Sequence, residues 1–198
     1  INTFDLKDSV RRIEAFYDDI LRHDVRPLTL GGDHTLSLPI LRAMAKKHGP
    51  LSLLHIDAHA DINSHMFGEE IAHGTPFRRA FEEELLDADQ VFQIGLRGTG
   101  YTAEDFDWAS ERGFQVVQAE QLWHQSAAPL MDQIRQQIGA RPVYLSFDID
   151  SLDPAYAPGT GTPEIGGLTS IQALEIIRGC RGLSLVGTDL VEVSPPYD

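Results

Sequence analysis

The sequence predicts an α/β fold in which a mainly parallel sheet carries helices on both faces. Three observations lead there. Short apolar runs alternate with amphipathic helical patterns; the central runs are rich in buried-type residues; and polar clusters recur just past the ends of these runs. In order, the first helix reads from Ser9 to about Arg22, with Val10, Ile13, Tyr17, Ile20 and Leu21 along one face. A strand follows at Pro27 to Leu30. The next helix begins near Ser37, tolerates Pro39 in its first turn, and stops at Gly49. Leu51 to Ile56, rich in leucine, reads as a buried parallel strand. Further strands are expected near Val91 to Leu96, Phe114 to Gln118, Val143 to Phe147 and Leu183 to Thr188. Helices near Glu104 to Arg112, Ala128 to Ile138 and Ser170 to Arg178 complete the alternation. No repeat or low-complexity tract interrupts it.

A chain of 198 residues supports one sizeable core, and nothing in it marks a second domain. The apolar share of 42% and charged share of 23% are those of an ordinary globular protein. No apolar run approaches bilayer-spanning length. One cysteine, Cys180, excludes an internal disulfide framework and makes a cytoplasmic home the simplest. A formal charge of -14 disfavours nucleic acid and anionic membrane as partners and favours the approach of a cationic small molecule. Acidic proteins are common, however, and solubility alone accounts for much of the excess.

The polar clusters carry the chemistry. Gly31-Gly32-Asp33-His34, Asp57-Ala58-His59-Ala60-Asp61, Asp148-Ile149-Asp150 and Glu192 all follow strand ends, where open parallel sheets bind ligands, so distant segments can meet in one crevice. In an extended stretch Asp57, His59 and Asp61 point the same way, as do Asp148 and Asp150. Each group alone is compatible with an ordinary polar loop. With His34 they make four carboxylates and two imidazoles, a set that without a cation would repel and desolvate badly. Oxygen-rich ligands with some imidazole suit manganese better than zinc or copper, and four carboxylates balance two divalent ions.

These residues resemble the ureohydrolase family of arginase and agmatinase. The matching segments are Gly31 to His34, His55 to Asp61, His73-Gly74, Ser146 to Asp150 with Asp153-Pro154, Gly159 to Pro163, and Val191 to Pro195, in the family's order from about residue 27 onward. The resemblance implies a three-layer αβα arginase-like fold with its metal site at the carboxyl ends of the strands. It implies two manganese ions per subunit, with nickel as an alternative, held by His34, Asp57, His59, Asp61, Asp148 and Asp150. A shared water activated by the ions would attack the guanidinium carbon of a small substrate, releasing urea and an amine. Glu192 would hold the guanidinium, supported by Thr162, and His73 would carry a proton to the leaving amine. Outside the resemblance, His73 reads as a surface histidine and Glu192 as an outward-facing acid.

The stretch from Ile62 to Ala72 resembles the agmatinase branch, and within it bacterial guanidinobutyrases and guanidinopropionases. It makes Asn63 and Met66 candidates for contact with the substrate's tail, although a loop methionine is more often packing. The candidate substrates are 4-guanidinobutyrate, agmatine and 3-guanidinopropionate. A carboxylate tail would call for a cation, with Arg97 and Arg78 as candidates. Trp108 and Trp123 read as core, and His55, His65 and His124 take no role. Two other readings remain: a deacetylase-like amidohydrolase with one zinc, and a non-catalytic subunit of a ureohydrolase-like assembly. Relative to the family, residues 1–198 read as one ureohydrolase domain without its N- and C-terminal segments. A homo-oligomer, trimer or hexamer, is the family's usual assembly.

Overall fold

The computed structural model describes residues 1–98 and 104–198. Its described elements alternate as the sequence predicts, and six strands form one parallel sheet. The strands are β1 (Leu28–Leu30), β2 (Leu51–Ile56), β3 (Leu86–Leu96), β4 (Gln115–Gln118), β5 (Pro142–Asp148) and β6 (Ser184–Val191). Their order is β1-β6-β5-β2-β3-β4. The helices are α1 (Leu6–Ile20), α2 (Ser37–His48), α3 (Pro76–Glu82), α4 (Glu104–Glu111), α5 (Ala128–Ile138) and α6 (Ser170–Gly179).

Side chains alternate across a strand, so each central strand feeds two cores. Leu51 and Leu53 of β2, Val91 of β3 and Tyr144 of β5 face one side, packing with Leu38, Ile40, Leu41 and Met44 of α2 and Phe77 of α3. Leu54 and Ile56, Phe92 and Ile94, Val143 and Leu145 face the other, against Met131, Ile134 and Ile138 of α5 and Ala173 and Ile176 of α6. Two helical layers thus sandwich the sheet.

The connections position the site. From β2 the chain moves on to β3, on one side of it; from β5 it moves on to β6, on the other. Beyond the carboxyl ends of the neighbours β2 and β5 these connections diverge and leave a crevice, the usual ligand position in such sheets. Asp57 directly follows β2, and Asp148 closes β5.

Three elements differ from the sequence reading. Helix α3, seven residues behind Thr75-Pro76, is too short to show a periodic stripe. Strand β3 starts at Leu86, five residues before the apolar run at Val91, because Leu86 pairs with Leu51. Strand β6 continues past Thr188 to Val191. Asp189 looks like a strand-ending acid, yet it is buried within the sheet because three hydroxyl groups satisfy its carboxylate. That extension carries Glu192 to the crevice. No helix among the described residues is long and apolar enough to cross a membrane.

Candidate metal centre

The six sequence-selected histidines and aspartates converge at the β2–β5 crevice. His34 Nδ1 lies 2.9 Å from Asp61 Oδ2, 3.2 Å from Asp57 Oδ2 and 3.3 Å from Asp148 Oδ2. On the outer side His59 Nδ1 lies 3.1 Å from Asp150 Oδ2 and 3.5 Å from Asp57 Oδ1. Asp57 belongs to both groups, one with His34, His55 and Asp61, the other with His59 and Asp150, each compact enough to hold a metal ion.

Local backbone chemistry sets these positions. Asp148 accepts the Asp150 N–H at 2.9 Å, and Asp150 Oδ1 accepts the Ala58 N–H at 3.1 Å, which ties the ends of β5 and β2 together. Asp57 Oδ1 accepts the His59 N–H at 2.6 Å. Asp61 adopts a left-handed backbone with φ of 51°, and its carbonyl accepts the Phe77 N–H of α3. Glu192 is likewise left-handed, with φ of 62°. Non-glycine residues in this region are held there by their surroundings and cluster at functional sites.

The orientation of His34 shows what the cluster lacks. Ser146 donates its hydroxyl proton to Asp189 Oδ1 at 2.7 Å, so at 2.8 Å from His34 Nε2 its oxygen accepts. A ring proton therefore sits on Nε2, which leaves Nδ1 as the position for a cation, or for a second proton drawn by the carboxylates. This buried nitrogen has no hydrogen-bond partner and faces three carboxylate oxygens. Lone pairs from an imidazole and several carboxylates aimed at one point fit a hard divalent cation such as manganese.

Electrostatics lead to the same result. Burial pushes Asp148 and Asp150 above the ordinary carboxylate range, and neighbouring Asp57 pushes them further. Burial opposes a charge on His59, but Asp150 and Asp57 override it and raise the ring to about 11. A cluster that binds protons this avidly has excess negative potential, which a metal cation can neutralise in their place.

Next to the centre opens a cavity of about 600 Å³ lined by Asn63, Met66, His73, Thr162 and Glu192 together with His59, Asp61, Asp148 and Asp150. Glu192 is half-buried and accepts the His34 N–H at 2.7 Å through Oε1. It is not the outward-facing acid of a strand; burial raises its pKa, with the His34 N–H opposing. His73 is half-buried on the cavity wall rather than on the open surface. Thr162 donates to Asp150 Oδ2 at 3.1 Å, so its hydroxyl supports the outer group and not Glu192 as expected. Asn63 donates its side-chain amide to Gly74 O at 3.0 Å, and buried Met66 packs beside Gly74.

Three further expectations are corrected. The Arg97 guanidinium is not available to a substrate carboxylate: it donates to the carbonyls of Gly95, Asp150, Ser151, Leu152, Glu164 and Ile165. Arg78 pairs with Glu82 at 3.0 Å and lies over the Trp108 ring. Trp108 is core, but Trp123 is half-exposed on the cavity wall, where its indole N–H donates to Gly166 O. The sequence reading also passed over His55, although alternation places it on the Asp57 side of β2, two residues earlier.

Fold and centre together match one known protein family. The profile of the arginase family matches residues 1–198, and the chain belongs to that family. It is 70% identical over its full length to the guanidinobutyrase of Pseudomonas aeruginosa and 59% identical to the human mitochondrial guanidino acid hydrolase. It spans 62% and 56% of those two proteins. Among solved structures, the proclavaminate amidinohydrolase of Streptomyces clavuligerus matches the whole chain, and 66% of its own, with a TM-score of 0.95 at 41% identity.

Proposed function

We propose that the protein hydrolyses the guanidino group of a small molecule, with 4-guanidinobutyrate its preferred substrate, to urea and an amine in a manganese-dependent reaction. The observation that carries this is the buried His34 Nδ1, which has no hydrogen-bond partner and faces Asp57, Asp61 and Asp148, beside a second cluster at His59 and Asp150. The guanidinobutyrase at 70% identity supports the choice of substrate.

His34, Asp57, Asp61 and Asp148 would hold one ion, and His59, Asp150 and the shared Asp57 the other. Ions held there would lower the pKa of a bound water and polarise the group that the water attacks. Glu192 orients the guanidinium: the His34 N–H fixes one carboxylate oxygen, and the carboxylate plane suits a planar cation. His73, on the same wall, passes a proton to the nitrogen that leaves when its bond to the guanidinium carbon breaks. Asn63 and Met66 bound the space for the tail. Among the described residues the wall offers a carboxylate tail no free arginine or lysine, so neutral donors would meet it. A cytoplasmic homo-oligomer is the proposed working form.

The test is urea release by the full-length protein after manganese preincubation, with 4-guanidinobutyrate, 3-guanidinopropionate, agmatine and arginine side by side. Preference for 4-guanidinobutyrate is expected. No urea from any of them with two ions bound would overturn the substrate class, and one zinc per chain would favour a deacetylase-like enzyme.

A further inference from the structure

A row of buried polar side chains crosses the sheet one layer beneath the metal centre. Register places Gln93 of β3 beside His55 of β2, His55 beside Ser146 of β5, and Ser146 beside Asp189 of β6. All four are buried. They lie on the face that packs against α2, where a row of leucines would cost less desolvation. Ser146 and Asp189 explain the orientation of His34. Gln93 and His55 have no such account.

Their hydrogen bonds determine where the protons sit. Gln93 Nε2 lies 2.7 Å from Ala60 O and 3.0 Å from His55 Nδ1. A carbonyl oxygen only accepts, so the atom facing it is the amide nitrogen, and its second hydrogen points at His55 Nδ1. That ring nitrogen must be bare, which puts the His55 proton on Nε2, 2.7 Å from Asp57 Oδ2. His34 and His55, with ring centroids 5.2 Å apart, therefore meet the same Asp57 oxygen in different ways: His34 with the nitrogen left for a cation, His55 with an N–H.

We propose that His55 is a positioning residue and not a metal ligand: Gln93 fixes its tautomer, and its Nε2–H holds Asp57, the carboxylate common to both groups. The proposal rests on the metal reading given above. Its physical content is that a donated hydrogen bond removes one rotational freedom from Asp57 and keeps Nε2 from competing for an ion, although distance alone would admit His55 to the inner group. Outer partners of this kind typically alter metal affinity about ten- to a hundredfold when removed.

The test compares the full-length protein with His55→Phe, His55→Gln and Gln93→Leu. Manganese affinity and stoichiometry are read by titration of the metal-free proteins, with the kcat and KM of urea release measured at saturating metal. Glutamine can place an N–H near the Nε2 position, whereas phenylalanine cannot. His55→Phe and Gln93→Leu are expected to weaken manganese about ten- to a hundredfold while both still reach two ions per chain at saturation. His55→Gln should recover most of that affinity. Two-bond proton–nitrogen spectra of the metal-free parent should show the His55 proton on Nε2. Saturation of His55→Phe at one ion would make His55 a ligand and overturn the proposal. Parental affinity in His55→Phe, or a parent proton on Nδ1, would overturn it as well. If the parent itself binds no manganese, the metal reading falls first and this one with it; thermal unfolding of the metal-free variants identifies any that fail to fold.

Discussion

His34 and His59 each bring an imidazole nitrogen to carboxylates at the mouth of the central sheet, but their surroundings differ in kind. His34 is fully buried, and its orientation comes from strand register: Ser146 and Asp189 sit side by side in β5 and β6, with Ser37 and Tyr144 completing the hydrogen bonds. His59 has a quarter of its side chain exposed, and its partner Asp150 is held from loops, by the Thr162 hydroxyl and by Arg97 on the Asp150 carbonyl. The deep group is thus part of the folding core, and the open group is assembled by connections at its rim. Disturbing the first should be read out in stability, and disturbing the second in ion affinity and substrate handling.

The largest expected effect comes from removing what the two groups share. Asp57 faces His34 with one oxygen and His59 with the other. Asp57→Ala should abolish binding of both ions and all urea release, measured by metal analysis after gel filtration and by a urea assay. Retention of one ion at parental affinity would show that the groups do not depend on a common carboxylate.

Next is the foundation of the deep group. Asp189 accepts hydroxyl protons from Ser37, Tyr144 and Ser146, each at 2.7 Å. Asp189→Leu leaves three buried hydroxyls without their acceptor, at roughly 1–3 kcal/mol each. In a chain of this size each kcal/mol moves the midpoint by about 2–4 °C, so the metal-free protein should melt roughly 10 °C lower or more. A midpoint within a few degrees of the parent would mean that these hydroxyls find other acceptors, and the deep group would not be part of the core.

The same division explains what the sequence disclosed. Strand β2 was legible to the residue because Leu51 to Ile56 is a buried run ended by an aspartate, and the acids and histidine past β2 and β5 were picked out by their alternate spacing, although the chain there is not extended: Asp150 lies in a 3-10 turn and Asp61 is left-handed. Their supports were harder to see. His55, Gln93, Ser146 and Asp189 lie in separate strands, and only sheet register makes them a row. Arg97 looked like a cation for a substrate's tail, since sequence shows a side chain's charge and not the carbonyls folded around it. Thr162 lines the same cavity as Glu192, but its hydroxyl reaches Asp150, because motif spacing does not reveal which carboxylate a loop hydroxyl meets.

The smallest and most discriminating perturbation lies at the rim. Arg97 gathers carbonyls from the end of β3, from the turn after β5 and from Glu164 and Ile165, which follow Thr162. A guanidinium offers five N–H donors in a rigid plane, whereas an ammonium offers three at a point, so Arg97→Lys keeps the charge and loses the span. The sheet and its two cores do not depend on these bonds, and the midpoint should move by only about 2–4 °C. The inner ion should bind as in the parent. The outer ion should weaken about tenfold, within the range typical of outer-shell changes, with a raised KM and a kcat that recovers at saturating manganese. The two binding steps can be separated by titrating the metal-free protein. Equal weakening of both ions would show that the rim and the deep group respond as one unit, and register alone would then not suffice to hold His34 in place.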